Sequence, residues 1–189
     1  LVKELQEEEI ENEEPRFLGR MDSFGLISRM LLEDLKLAIE QDELFMVYQP
    51  QVNEKGECVG GEALLRWNHP LYGIIYTPLI IYLAKEGNLL QQLEEKIFDI
   101  ASAAIKRISE EYDGEFKISV NITAKSLLWD IESCIKTNLE KHGITAEQLW
   151  IEITEQDVIS NADHVIDKLQ RLKDCGHVLL IDDFGMGHT

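Results

Sequence analysis

A chain of 189 residues is the size of one domain and can bury a substantial single core. Its 36 acidic residues against 18 basic ones leave a formal charge of -18. That field repels nucleic acid polymers and anionic lipid, so a phosphodiester ligand would call for bound divalent cations to reverse it locally.

Residues 1–21 form an acidic linker or the tail of an upstream region, with Pro15 and Gly19 as breakers and seven Glu against one Lys in the first fourteen positions. A leader peptide does not fit so acidic a start. The domain proper is assigned to residues 22–189. From Asp22 to Gln41 apolar residues fall at helical spacing, with Leu31, Leu35 and Ile39 on one face, Leu32 beside it, and Asp22 or Ser23 as cap. Leu44 to Val52 is rich in β-formers, Asn53-Glu54-Lys55-Gly56 is a turn, and Cys58 to Trp67 returns as a second strand. So short a link makes the pair antiparallel. Residues 69–78 read as a loop with His69-Pro70, Gly73 and Pro78. Helices follow from Thr77 to about Asn88, with Pro78 in the first turn, and from Leu90 to Glu111.

The order then becomes strand, helix, strand, helix, strand. The strands are Phe116–Ile122, Leu149–Thr154 and His177–Asp183. The helices lie around 130–142 and 162–174, the second ended by Gly176. Apolar runs such as Val178-Leu179-Leu180-Ile181 suggest strands covered on both faces, and the alternation implies parallel pairing. No run of about 18 apolar residues is present to span a bilayer. Cys58, Cys134 and Cys175 form no pairing pattern and suit reduced thiols in a cytoplasm. Trp67, Trp129 and Trp150 read as packing residues.

Polar residues recur where these strands end. Glu62 lies in the second strand, Asn121 ends the third, Glu152 lies in the fourth, and Asp182 and Asp183 end the fifth. In α/β barrels the chemistry sits at that face. One such Glu is ordinarily solvated or paired with a cation. Four strands sharing the feature point to a common site, because buried carboxylates need partners and all-oxygen donors suit Mg²⁺ or Mn²⁺. Four acids and an amide exceed the needs of one ion and suit two, about 4 Å apart, holding a phosphodiester. Asp182 and Asp183 should point to opposite faces unless the strand ends there, and Phe184-Gly185-Met186-Gly187 permits that turn.

From about residue 31 to its end the chain resembles the EAL domain family. The matching segments are Tyr48-Gln49-Pro50, then Glu62-Ala63-Leu64-Leu65-Arg66-Trp67 with His69-Pro70. Val120-Asn121-Ile122, Glu152-Ile153-Thr154-Glu155 and Asp182-Asp183-Phe184-Gly185 follow in order. The resemblance implies an α/β fold: an incomplete modified TIM barrel, its first strand antiparallel, with about five of the expected eight strands. It implies metal-dependent hydrolysis of cyclic di-GMP to linear pGpG, with Glu62, Asn121, Glu152, Asp182 and Asp183 as metal ligands. Of these, Glu62, Glu152, Asp182 and Asp183 are the catalytic acids. Substrate contacts fall to Gln49, Leu64 and Arg66, the last because a guanidinium fork matches phosphate.

Alternatives stand beside these roles. Gln49 could be a strand-end hydrogen bonder, Arg66 the partner of a nearby acid, and Glu155 either a support for the site or a surface residue. Lys85 and Asn88 occupy positions where the family usually has Glu and Gly, with only local effects expected. The family's later strands carry a lysine, a further glutamate and a glutamine that this chain lacks, so the fragment alone is expected to have little or no activity. The other readings are a non-catalytic cyclic di-GMP-binding regulatory module and a different metal-dependent barrel hydrolase. Further expectations are a cytoplasmic setting in a parent that could be membrane-tethered, no nucleic acid polymer as partner, a dimer, and an upstream sensor or GGDEF-type domain.

Overall fold

The computed structural model describes residues 23–182, apart from 42, 113–115 and 161. The acidic stretch 1–21, Asp22, and Asp183 with the glycine-rich turn after it lie outside the described residues. In chain order the elements are α1 (Ser23–Glu40), β1 (Leu44–Val52), β2 (Cys58–His69), β3 (Gly73–Tyr76), α2 (Thr77–Glu86) and α3 (Leu90–Tyr112). Then come β4 (Lys117–Ile122), α4 (Ile131–His142), β5 (Leu149–Thr154), α5 (Glu155–Ser160), α6 (Ala162–Asp174) and β6 (Leu179–Asp182), with single 3₁₀ turns at Ala124–Leu128 and Ala146–Gln148. The chain divides into two compact units. One is Leu1–Val47 with Leu65–Lys96; the other is Tyr48–Leu64 with Ile97–Thr189.

In the first unit, α1 buries Leu31, Leu35 and Ala38, a stripe at i, i+4 and i+7. The stripe turns toward Ala38, leaving Ile39 only half-buried at its edge. Fully buried Trp67 donates its indole N–H to Glu43 Oε2 at 3.0 Å. The segment read as a loop contains a strand. β3 pairs antiparallel with β2, Arg66 opposite Tyr76 and His69 opposite Gly73. Its signal was the β-branched pair Ile74-Ile75, too short to outweigh the flanking breakers. The tight turn before β3 is held by His69. Its Nδ1 accepts from the amides of Leu71 (3.1 Å) and Tyr72 (3.3 Å), so Nε2 carries the proton and donates to Asp34 Oδ2 at 3.1 Å.

α2 ends in a Schellman motif, the Leu89 amide reaching Ala84 O (2.8 Å) and the Asn88 amide reaching Lys85 O (3.4 Å). Asn88 takes the left-handed position at φ 54°, where the family's usual glycine carries no penalty. Replacing Asn88 by Ala is expected to cost about 1 kcal/mol in urea unfolding, since Ala lacks asparagine's tolerance of this region. An unchanged midpoint would contradict that account.

In the second unit the hydrogen-bonded strand order is β1-β2-β4-β5-β6. β1 and β2 are joined by a five-residue link closed by Asn53 N to Glu57 O at 3.0 Å, a connection that only an antiparallel pair can make. β2–β4, β4–β5 and β5–β6 are all parallel. Asp130 caps α4 by accepting from the Ser133 amide. Gly143 (φ 65°) and Gly176 (φ 96°) end α4 and α6 in the left-handed conformation.

The strand period of two sorts the residues. Ala63 on β2, Ile118, Val120 and Ile122 on β4, and Leu149, Ile151 and Ile153 on β5 share one face, all nearly or fully buried. With Phe98 and Ile105 of α3, Ile131 and Ile135 of α4, and Val165 and Leu172 of α6, they form this unit's core. The expectation that the Val178–Ile181 run is covered on both faces fails. β6 is the edge of the described sheet, and Val178 and Ile181 are exposed. The sheet is open, as expected of an incomplete barrel. α5, absent from the sequence reading, follows β5 without a linker, its first turn capped by Thr154 Oγ1, which accepts from the Asp157 amide at 3.2 Å.

Candidate active site

The other face of the same sheet is polar. Register and period place Glu62 of β2, Ser119 and Asn121 of β4, Trp150, Glu152 and Thr154 of β5, and Asp182 of β6 on it. Glu62 is level with Ser119, Asn121 with Glu152, and Thr154 with Asp182. The functional groups therefore climb by one residue pair from β2 to β4 and again from β5 to β6. Tilted strands in a barrel convert such a stagger into one common height.

Asn121 Nδ2 donates to Glu62 Oε1 at 2.9 Å, which turns the amide oxygen of Asn121 away and leaves it available as a ligand. Glu152 is only 9% exposed, and its Oε2 has no hydrogen-bond partner. Burial pushes the Glu152 carboxyl above its ordinary range. The nearby Ser119 hydroxyl opposes that shift, and the negative charges of Glu62 and Asp182 add to it. The donors on this face are oxygens of the kind that suit Mg²⁺ or Mn²⁺. Among the described residues, no three His, Cys, Asp or Glu side chains stand close enough to hold one ion. Glu62 and Glu152 lie on strands two apart, whose axes are about 10 Å from each other, with Asn121 on the strand between them.

Gln49 is exposed on β1, and Leu64 is half-buried on the face of β2 that carries Glu62. Arg66 belongs to the first unit. Its Nη1 donates to Leu65 O at 2.8 Å and to Thr77 Oγ1 at 3.1 Å, with the guanidinium 4.9 Å from the Tyr76 ring centroid. Among the described residues it pairs with no acid. Glu155 opens α5 and is half-buried. Trp150 ties its N–H to Glu147 O at 2.9 Å and lies under Lys117 Nζ, 5.4 Å from the ring centroid. Sequence reasoning missed Gln51 and Ser119, which are joined by a hydrogen bond from Gln51 Nε2 to Ser119 Oγ at 3.4 Å. Their signal was the period of two, which sets them beside Gln49 and Asn121.

A parallel α/β sheet of barrel type, with acids and an amide near its C-terminal strand ends, places the chain among barrel domains that work from that rim. The family model of the EAL domain matches residues 32–189, and the chain belongs to the EAL domain family. It is similar to the bifunctional diguanylate cyclase/cyclic di-GMP phosphodiesterase MucR of Pseudomonas aeruginosa, 32% identical over 175 residues, covering 92% of this chain and 26% of that protein. It is also similar to the cyclic di-GMP phosphodiesterase NbdA of the same organism, 31% identical over 159 residues, covering 83% of this chain and 20% of that one. Among solved structures, the PaMucR phosphodiesterase in complex with c-di-GMP superposes with a TM-score of 0.78 at 31% identity, over 85% of this chain and 66% of that one. The chain thus spans about a quarter or less of the curated relatives' length. Such neighbours have a TIM-barrel-like fold, and the open sheet is part of one.

Proposed function

We propose that this domain binds cyclic di-GMP and directs water onto one phosphodiester bond, yielding linear pGpG, with Mg²⁺ or Mn²⁺ as cofactor. The observation that carries the reading is the orphaned, buried Glu152 Oε2 beside Glu62 and Asp182. Glu62, Asn121 through its amide oxygen, Glu152 and Asp182 would hold the ions, with Asp183 added on the family resemblance. Bound there, divalent ions polarise the phosphodiester and lower the pKa of water. The chain's own groups fix the donors. Asn121 clamps Glu62, and the ionised acids keep the face closed to anions until cations offset them. Gln49, Leu64 and Arg66 are the proposed substrate contacts, and Glu155 a support. The guanidinium of Arg66, fixed by Thr77 and Tyr76, is pre-oriented for a phosphate oxygen.

One observation favours a second reading, a cyclic di-GMP-binding module without turnover: no three acids among the described residues close around an ion. For residues 1–189 alone we place turnover far below that of a complete domain. The names of MucR and NbdA support cyclic di-GMP as ligand, and the paired activities in MucR's name support a GGDEF-type or sensor neighbour. We assign the domain to the cytoplasm, in keeping with its free cysteines; no described helix is long and apolar enough to cross a membrane.

Calorimetric binding of cyclic di-GMP with Mn²⁺ and with EDTA, followed by chromatographic product analysis, tests these readings against the PaMucR domain as control. Metal-dependent binding is expected here, and pGpG from the control. Brisk pGpG formation by this chain rejects the module reading, and no binding in either condition sinks both.

A further inference from the structure

Thr77 opens α2, but its hydroxyl is spent elsewhere than on that helix. The cap position belongs to Tyr76, in extended backbone and without a side-chain cap bond. Thr77 Oγ1 donates to Leu65 O at 2.7 Å and accepts from Arg66 Nη1 at 3.1 Å. Nη1 also donates to Leu65 O, at 2.8 Å. A carbonyl oxygen, a hydroxyl and a guanidinium nitrogen thus close a ring of hydrogen bonds, all within the first unit. The directions are fixed, because the carbonyl can only accept and Nη1 can only donate, so the hydroxyl does one of each. Tyr76, opposite Arg66 in the β2–β3 ladder, sets its ring centroid 4.9 Å from the guanidinium carbon, where a cation is attracted to the aromatic face.

A guanidinium carries five N–H donors in one plane. The ring takes both hydrogens of Nη1, and with them the end-on edge that Nη1 shares with Nη2. Among the described residues, Nε and Nη2 of Arg66 have no hydrogen-bond partner. They make up the side-on edge, two parallel N–H groups spaced for two oxygens of one phosphate. We propose that Thr77 is a positioning residue that, by holding Nη1 against Leu65 O, makes Arg66 present its Nε–Nη2 edge to a phosphate of cyclic di-GMP. Thr77 touches no substrate atom. It acts by ordering, already in the free protein, a long side chain whose freedom would otherwise be lost only on binding. The Tyr76 ring covers one face of the guanidinium and keeps its plane from tipping. The inference rests on the reading of Arg66 as a substrate contact.

The test is calorimetric titration of the chain with cyclic di-GMP in Mn²⁺, on the wild type, T77V, T77S, R66A, R66K and the double variant T77V/R66A. Circular dichroism reports folding. R66A is expected to weaken binding about tenfold or more, as loss of hydrogen bonds to a charged group does. T77V keeps the branched shape and removes the hydroxyl. It is expected to weaken binding about fivefold, the cost of ordering one long side chain at the moment of binding. T77S keeps the hydroxyl and is expected to bind as the wild type does. In the R66A background T77V is expected to cost nothing further, because it acts through the guanidinium. R66K keeps the charge without the fork and is expected to stay nearer R66A than the wild type. A hydroxyl that only ties α2 to β2 would lower the unfolding midpoint in T77V and leave the affinity alone. Wild-type affinity in T77V, or an equal further loss in the R66A background, overturns the positioning role. Wild-type affinity in R66K overturns the side-on edge. If T77V does not fold, T77A decides by the same criteria. A wild type that binds no cyclic di-GMP, or an R66A variant that binds as well as the wild type, overturns the reading of Arg66 itself, which separates that failure from failure of Thr77's role.

Discussion

Glu152→Gln is expected to raise the metal-free chain's unfolding midpoint at pH 7 and to abolish the stabilisation that Mn²⁺ gives the wild type. The carboxyl's pKa in the folded state lies above its ordinary value of 4.5, first because of burial and then because Glu62 and Asp182 repel its charge. Ionisation therefore disfavours the fold. Between the ordinary value and the raised one the folded state holds the extra proton, so stability falls as pH rises through that window. Above it the full penalty is present; below the ordinary value it is absent. The amide carries no charge and does not titrate, so the variant's advantage should vanish as the pH falls. A buried charge left without a partner costs about 1 kcal/mol or more, and the amide removes that charge. In a chain of this size that is about 2–4 °C of melting temperature. Differential scanning calorimetry from pH 4 to 8, with Mn²⁺ and with EDTA, measures both effects. A variant that melts below the wild type in EDTA at pH 7 would refute the electrostatic account.

The second large effect belongs to Gly60. A Cβ on this residue would lie 2.7 Å from the carbonyl oxygen of Lys117, its partner in the β2–β4 ladder. Backbone cannot rotate aside as a side chain can. Gly60→Ala must push the two strands apart beside Glu62 and Ser119, at a cost of about 3 kcal/mol, or about 6–12 °C. Its neighbour is the internal control. A Cβ on Gly61 would meet Gln49 O and Tyr48 Cβ at 3.4 Å, an ordinary contact. Gly61→Ala should cost no more than about 1 kcal/mol. Equal midpoints for the two variants would show that the ladder yields at Gly60. Loss of Mn²⁺ binding in the Gly60 variant alone would tie ladder spacing to the site.

Much of this was legible in the chain because both faces of the sheet are written with a period of two. Isoleucine and valine around Asn121, and isoleucine on either side of Glu152, announce a strand with one apolar face and one polar exception. The hairpin was legible from Asn53-Glu54-Lys55-Gly56. β3 was not, because four residues carry too little pattern beside His69-Pro70 and Gly73. α5 was hidden because it begins where β5 stops, and Glu155 reads as the last residue of the Glu152-Ile153-Thr154-Glu155 segment before it reads as a helix start. Ser119 and Gln51 were passed over for a different reason. Their residue types are ordinary, and only the register that puts Ser119 on the face that carries Glu152, with Gln51 bonded to it, brings them to the site. Exposure of β6 could not be read from its composition, since Leu179-Leu180-Ile181 suits a central strand as well as an edge.

The alternation along β4 binds the fate of the core to that of the cation site. Slide β4 by a single residue against β5, and Val120 and Ile122 swap sides with Ser119 and Asn121. A misthreaded but compact version of this domain would therefore lose its apolar filling and its ligands in one move. A mutant pool screened for folding alone should already be enriched for correctly aimed oxygen donors.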